Sequence, residues 1–66
     1  MNQEDLYWTE KEMKQFGGGF VKALAEAMSQ ADPFNIQRIQ DAFPEYMSQY
    51  FQMGQKLKEV HDRKSN

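Results

Sequence analysis

No cysteine occurs anywhere in the 66 residues, and there is one histidine, His61. The first absence excludes a disulfide framework, and together they leave a structural zinc without a nitrogen and sulfur ligand set. A single core in a chain this short yields roughly 3–5 kcal/mol of net stability. With both covalent and metal staples excluded, self-association or a partner surface is the remaining device. Net charge is also scarce, at −2. That excludes a polyanionic mimic of DNA and a polycationic nucleic-acid binder. No apolar run approaches the roughly 18 residues of a membrane span, and no basic segment precedes an apolar one as in a secretory leader. The expectation is a cytoplasmic protein with no membrane partner.

Aromatic residues, by contrast, are plentiful at 14%, including Trp8, Tyr7, Tyr46 and Tyr50. A chain so supplied has the apolar surface to fold. The charges are distributed unevenly: Glu4, Asp5, Glu10 and Glu12 load the start with acid, and Lys56, Lys58, Arg63 and Lys64 make the end basic. Such a gradient suits a solvated surface with a helix-dipole bias, and it also suits antiparallel or head-to-tail contacts.

Thr9 followed by Glu12 reads as a capping box, which predicts a helix entrance there, with residues 1–8 as an arm and Trp8 stapled near Met13 or Phe16. Beyond it Met13, Phe16, Phe20, Leu24, Ala27, Met28 and Ala31 recur at steps of three and four. The stretch "QFGGGF" interrupts that series with three consecutive glycines. At about 100° per residue, Phe16 and Phe20 stay in phase with Leu24 and Ala27, which predicts one helix from about Thr9 to Gln30 despite roughly 1 kcal/mol of propensity lost per glycine. Gly17 projects to the apolar face on this reading, and Gly19 heads a ridge with Ala23, Ala27 and Ala31 along which another helix could approach closely. Gly18 points to the polar side and has no packing explanation. A phosphate cradle is disfavoured, because "GGG" lacks the spacing of a dinucleotide or P-loop motif and follows no strand.

In "ADPFN", Asp32 is placed to cap and Pro33 to occupy the first helical position. A short second helix, to about Ala42, then braces its longer neighbours through Phe34, Ile36, Ile39 and Phe43. Pro44 breaks that pattern and starts a third helix. Along it Tyr46, Tyr50, Met53, Leu57 and Val60 form a packing seam, widened on one flank by Met47, Phe51 and Gly54. Past Val60 the residues "HDRKSN" lack apolar periodicity and are expected to fray. The predicted fold class is all-α: a small helical hairpin or three-helix domain, with a long helix, a short brace and a long helix antiparallel to the first.

Chemistry has few residues to use. Ser29, Ser48 and Ser65 sit in no nucleophile elbow, and His61 beside Asp62 suits a surface ion pair. Glu10, Glu12, Glu26, Asp41, Glu45 and Glu59 all read as solvated helix surface rather than paired acids. No calcium loop is spelled out around Asp32, so neither a metal nor a cofactor is expected. The "FPEY" junction has a helix-turn-helix outline, but the helix after it offers no lysine or arginine before Lys56, making nucleic-acid binding weak at best. Met13, Met28, Met47 and Met53 fit a core better than an adaptable surface.

The segments "FGGGFVKALAEAMSQAD" and "RIQDAFPEYMSQYFQMG" resemble short proteins encoded by phages and prophages, especially of Bacteroides-type hosts. The resemblance covers roughly Glu12 to Met53 and rests on small apolar motifs. It implies a small accessory or host-inhibitor protein that works by binding a macromolecule, and it carries no catalytic residues across. The function expected is therefore a non-enzymatic protein-binding module, homo-oligomeric, whose surface combines Gly18, Gly19 and Ala23 with Met47, Phe51 and Gly54. The alternative is an oligomeric sponge for an anionic nucleotide signal of host defence, with Gly17, Gly18 and Gly19 as the pocket and Lys14 or Lys22 as the charge.

Overall fold

Asn2, not Thr9, opens the first helix. In the computed structural model, which describes residues 2–64, the Asn2 side chain accepts a hydrogen bond from the Asp5 amide at 2.7 Å and caps α1 (Gln3–Phe16). Glu4 and Asp5 fall in the first turn, where acid complements the helix dipole. The expected capping pair lies inside the helix instead. Thr9 is completely buried and its hydroxyl donates to the Asp5 carbonyl at 2.7 Å, while Glu12 is buried one turn further on. A cap governs only where no better one lies upstream, and Leu6 and Trp8 extend the buried side of the helix backwards. The segment expected as an arm is thus helical from Gln3, and Met1 lies outside the described residues.

The glycines break the first helix. One continuous helix from Thr9 to Gln30 does not form: α1 stops at Phe16, Gly17 and Gly18 are extended, and α2 (Gly19–Gln30) begins. The Gly17 amide still donates to the Met13 carbonyl at 2.9 Å, and the Gly18 carbonyl accepts from Lys22 at 2.9 Å, so both helix ends are tied to the turn. No glycine has positive φ. What the turn requires at Gly17 is the missing side chain, because a Cβ there would stand 2.4 Å from Val21 Cγ1 and 2.5 Å from the Met13 carbonyl oxygen. The break lets α2 fold back against α1. Folding back selects Val21, Ala25 and Met28 as the buried face, and leaves Phe16 and Phe20, whose phase had argued for continuity, 59% and 53% exposed.

The two proline junctions form as the sequence predicts. Asp32 caps α3 (Pro33–Ala42) by accepting from the Asn35 amide at 2.8 Å, with Pro33 in the first turn. Helix α4 (Pro44–Lys64) starts at its own proline, and Phe43 before it leaves helical geometry at φ −130° and ψ 59°. Residues 61–64, expected to fray, continue α4, while Ser65 and Asn66 lie outside the described residues. Helix α3 buries no residue fully; Ile36 and Ile39 are half-buried, as befits a brace. The chain is therefore all-helical, with four helices among the described residues where three were expected.

Helices α1 and α4 run antiparallel in the most extensive contact of the fold. Near one end Gln55 donates to Asp5 at 2.7 Å, and Lys58 lies 3.5 Å from Glu4 and 4.0 Å from Asp5, so acidic start meets basic end within one chain. Further along, Gly54 sits directly on the α1 backbone: a Cβ built there would lie 2.9 Å from the Trp8 carbonyl carbon and 3.0 Å from the Thr9 nitrogen. The close helix approach expected at the Gly19 ridge is found here. Gly19 has nothing within 4 Å of its would-be Cβ, and Ala23 and Ala27 are exposed. Trp8 faces α4 too, its ring 5.3 Å from that of His61. Met13, Val21, Ala25, Met28, Met47 and Tyr50 make the buried core, with Leu6, Leu24, Ile39 and Met53 against it.

Candidate functional site

Of the residues predicted to make a binding surface, Met47 is 5% exposed within the core and Gly54 is buried beneath α1. They serve packing and leave no free flank beside the half-buried Phe51. Gly18, Gly19 and Ala23 are exposed. The nucleotide pocket is not assembled around the glycines either. Gly17 is buried, Lys22 is exposed, and the Lys14 ammonium lies 3.8 Å from Glu26 and 3.3 Å from the Ser29 hydroxyl. Ser29 is about 15 Å along α2 from Gly19 at 1.5 Å of rise per residue, so Lys14 is directed towards the far end of that helix.

Two other features stand out. At the glycine-turn end, Phe20 from the start of α2, Phe43 from the α3–α4 junction and Tyr46 from the first turn of α4 form one aromatic cluster. Ring centroids are 5.4 Å apart for Phe20 and Phe43, 6.0 Å for Phe20 and Tyr46, and 6.4 Å for Phe43 and Tyr46. These are favourable edge-on and tilted separations. Phe20 remains 53% and Tyr46 39% exposed, while Phe43 is half-buried. The sequence places Phe20 on the apolar stripe of the first helix and Phe43 in the brace. The signal that could have found the cluster is that Phe20 and Phe43 adjoin the breaks "GGG" and "P", where a helix face ends and its apolar side chains project past the packed region.

The second feature is a groove of about 470 Å³ between the first half of α1, the end of α2 and α3. Leu6, Tyr7, Met28 and Ile36 give it apolar walls, with Glu10 and Gln40 among its polar groups. Glu10 Oε1 is buried and has no hydrogen-bond partner among the described residues. Burial pushes the Glu10 carboxyl above its ordinary range. Ser29 and Lys14 pull the other way, and the Glu26 charge adds to the rise. Ser29 is near enough to matter, but its hydroxyl donates to the Ala25 carbonyl at 2.8 Å and so leaves Oε1 unsatisfied. Glu10 had been read as ordinary solvated surface, because helical periodicity alone does not reveal that α2 returns beside α1.

Among the described residues, no group of three His, Cys, Asp or Glu side chains converges to hold a metal ion, and no helix is long and apolar enough to cross a membrane. In comparisons with protein families, curated proteins and solved structures, no match to the chain was found.

Proposed function

We propose that this chain is a non-enzymatic protein-binding module that offers the Phe20, Phe43 and Tyr46 face to a partner protein. The observation that carries the reading is the exposure of these rings together with their mutual contact across two helices and a junction. Aromatic anchors held in place before binding lose little conformational freedom on association, and such residues dominate interface energetics. The neighbouring Gly18 and Gly19 add open backbone, with nothing within 4 Å of either would-be Cβ, so a partner surface can approach closely. This reading moves the binding surface away from Met47 and Gly54 and keeps Gly18 and Gly19 at its edge. It fits the small accessory protein that the phage resemblance implies, with a host protein, a phage protein or a second copy as the partner.

The test is a comparative pull-down from a Bacteroides-type lysate with wild type, Phe20→Glu and Phe34→Glu, paired with sedimentation of each protein alone. Phe34 is 72% exposed outside the cluster and controls for a charge introduced on an exposed ring. A partner, or a self-associated species, kept by Phe34→Glu and lost by Phe20→Glu supports the proposal. Equal recovery by all three proteins refutes it.

A further inference from the structure

The groove at the other end of α2 raises a separate question, independent of the aromatic face. A buried carboxylate oxygen without a hydrogen-bond donor is costly, and native structures contain few of them. Glu10 Oε1 is such an atom, and Glu10 lines a groove whose volume of about 470 Å³ lies in the range usual for small-ligand pockets. Among the described residues the lining includes one carboxylate and no lysine, arginine or histidine. Its apolar walls come from three helices: Leu6 from α1, Met28 from α2 and Ile36 from α3. An occupant matching both features has an apolar body and one cationic hydrogen-bond donor.

We propose that this groove binds small amphiphilic primary amines, with the ammonium on the Glu10 carboxylate and the apolar body between Leu6, Met28 and Ile36. The terminal torsion of a glutamate is soft, so the carboxylate turns to meet a donor without disturbing α1. The charged and titratable groups around it are Tyr7, Lys11 and Lys14 on its own helix and Glu26 on α2; the α3 residues lining the groove include the uncharged Gln37 and Gln40. Lys14 does not take the amine's place, since its ammonium is engaged by Glu26 and Ser29. Burial moves the Glu10 titration upward in the empty groove. An arriving ammonium favours the ionised form, so amine binding releases a proton and strengthens as pH rises through the Glu10 titration.

The experiment is an amide-shift NMR titration of the full chain with phenethylamine, phenethyl alcohol and hydrocinnamate as probes. These share a phenyl body and differ in carrying a cation, a neutral hydroxyl or an anion. The amine should give saturable shifts at Leu6, Met28, Ile36 and Gln40, bind about tenfold or more tightly than the alcohol, and tighten with pH; one charge-assisted hydrogen bond is sufficient for that ratio. Glu10→Gln should erase the preference for amine over alcohol, and Ile36→Ala should weaken both probes while keeping it. Equal binding of amine and alcohol by wild type overturns the proposal, as does unchanged amine binding by Glu10→Gln or the absence of saturable shifts. The wild-type comparison decides the matter even if a variant proves unstable. Phe20→Glu should leave amine binding intact, which separates this site from the proposed protein-binding face.

Discussion

Replacing Gly54 with alanine adds a single methyl group where the α4 backbone lies on α1. A glycine inside a helix costs about 0.5–1 kcal/mol relative to alanine, so on propensity alone the change should stabilise. The contact geometry opposes it. The new Cβ would stand 2.9 Å from the Trp8 carbonyl carbon, 3.0 Å from the Thr9 nitrogen and 3.0 Å from the Trp8 carbonyl oxygen. All three are backbone atoms and cannot rotate away, so relief requires α1 to move from α4. Overpacking of this kind costs roughly 1–3 kcal/mol, which leaves a net loss of about 0–2.5 kcal/mol after the propensity gain. At about 4–8 °C of melting temperature per kcal/mol for a domain of this size, a midrange loss of about 1.3 kcal/mol lowers the melting temperature by roughly 5–10 °C. Gly19→Ala is the matched control, with open space around its Cβ and negative φ. It should stabilise by about 0.4–1 kcal/mol through the unfolded chain alone. Urea denaturation followed in parallel by far-UV circular dichroism and by fluorescence of Trp8, the only tryptophan, reads both variants. If Gly54→Ala stabilises as much as Gly19→Ala, the two helices do not approach through Gly54 and the antiparallel packing described above is wrong.

Gly18→Asp should stabilise by about 1 kcal/mol, since Gly18 is an extended, open N-cap without a side-chain hydrogen bond; thermal melts at low and high salt check it. Met13→Ala, at a completely buried core position, should cost roughly 2–5 kcal/mol and leave the chain largely unfolded by circular dichroism at 25 °C. Glu10→Gln should raise stability at neutral pH, because burial lifts the carboxyl above its unfolded value and the folded state then binds more protons than the unfolded state as Glu10 titrates. Wild-type stability therefore falls as pH rises from the ordinary carboxylate range through the raised value, and the advantage of Glu10→Gln should shrink as pH is lowered again. Melts across that range that show no convergence would contradict the burial of Glu10.

The sequence by itself determined the parts of this protein that depend on a few adjacent residues. Asp32 with Pro33, and Pro44 after Phe43, start helices because a side-chain acceptor and a fixed φ act within one turn, whatever surrounds them. The all-helical class followed from the same local source, and so did the core role of Met13 and Met28 at helical spacing. Tertiary structure decided the rest. Phase agreement across the glycines could not tell a continuous helix from two helices folded together, because both keep every residue's local propensity and differ only in which face is covered. Once α2 returns along α1, burial passes to Val21, Ala25 and Met28, Phe20 is left outside, and Glu10 is enclosed beside Ser29. Which glycine permits close approach was likewise undetermined by the chain order. Gly19 and Gly54 are both small residues on a helix, and only the arrival of Trp8 and Thr9 from about 45 residues away in sequence makes the missing methyl group necessary at Gly54 and dispensable at Gly19.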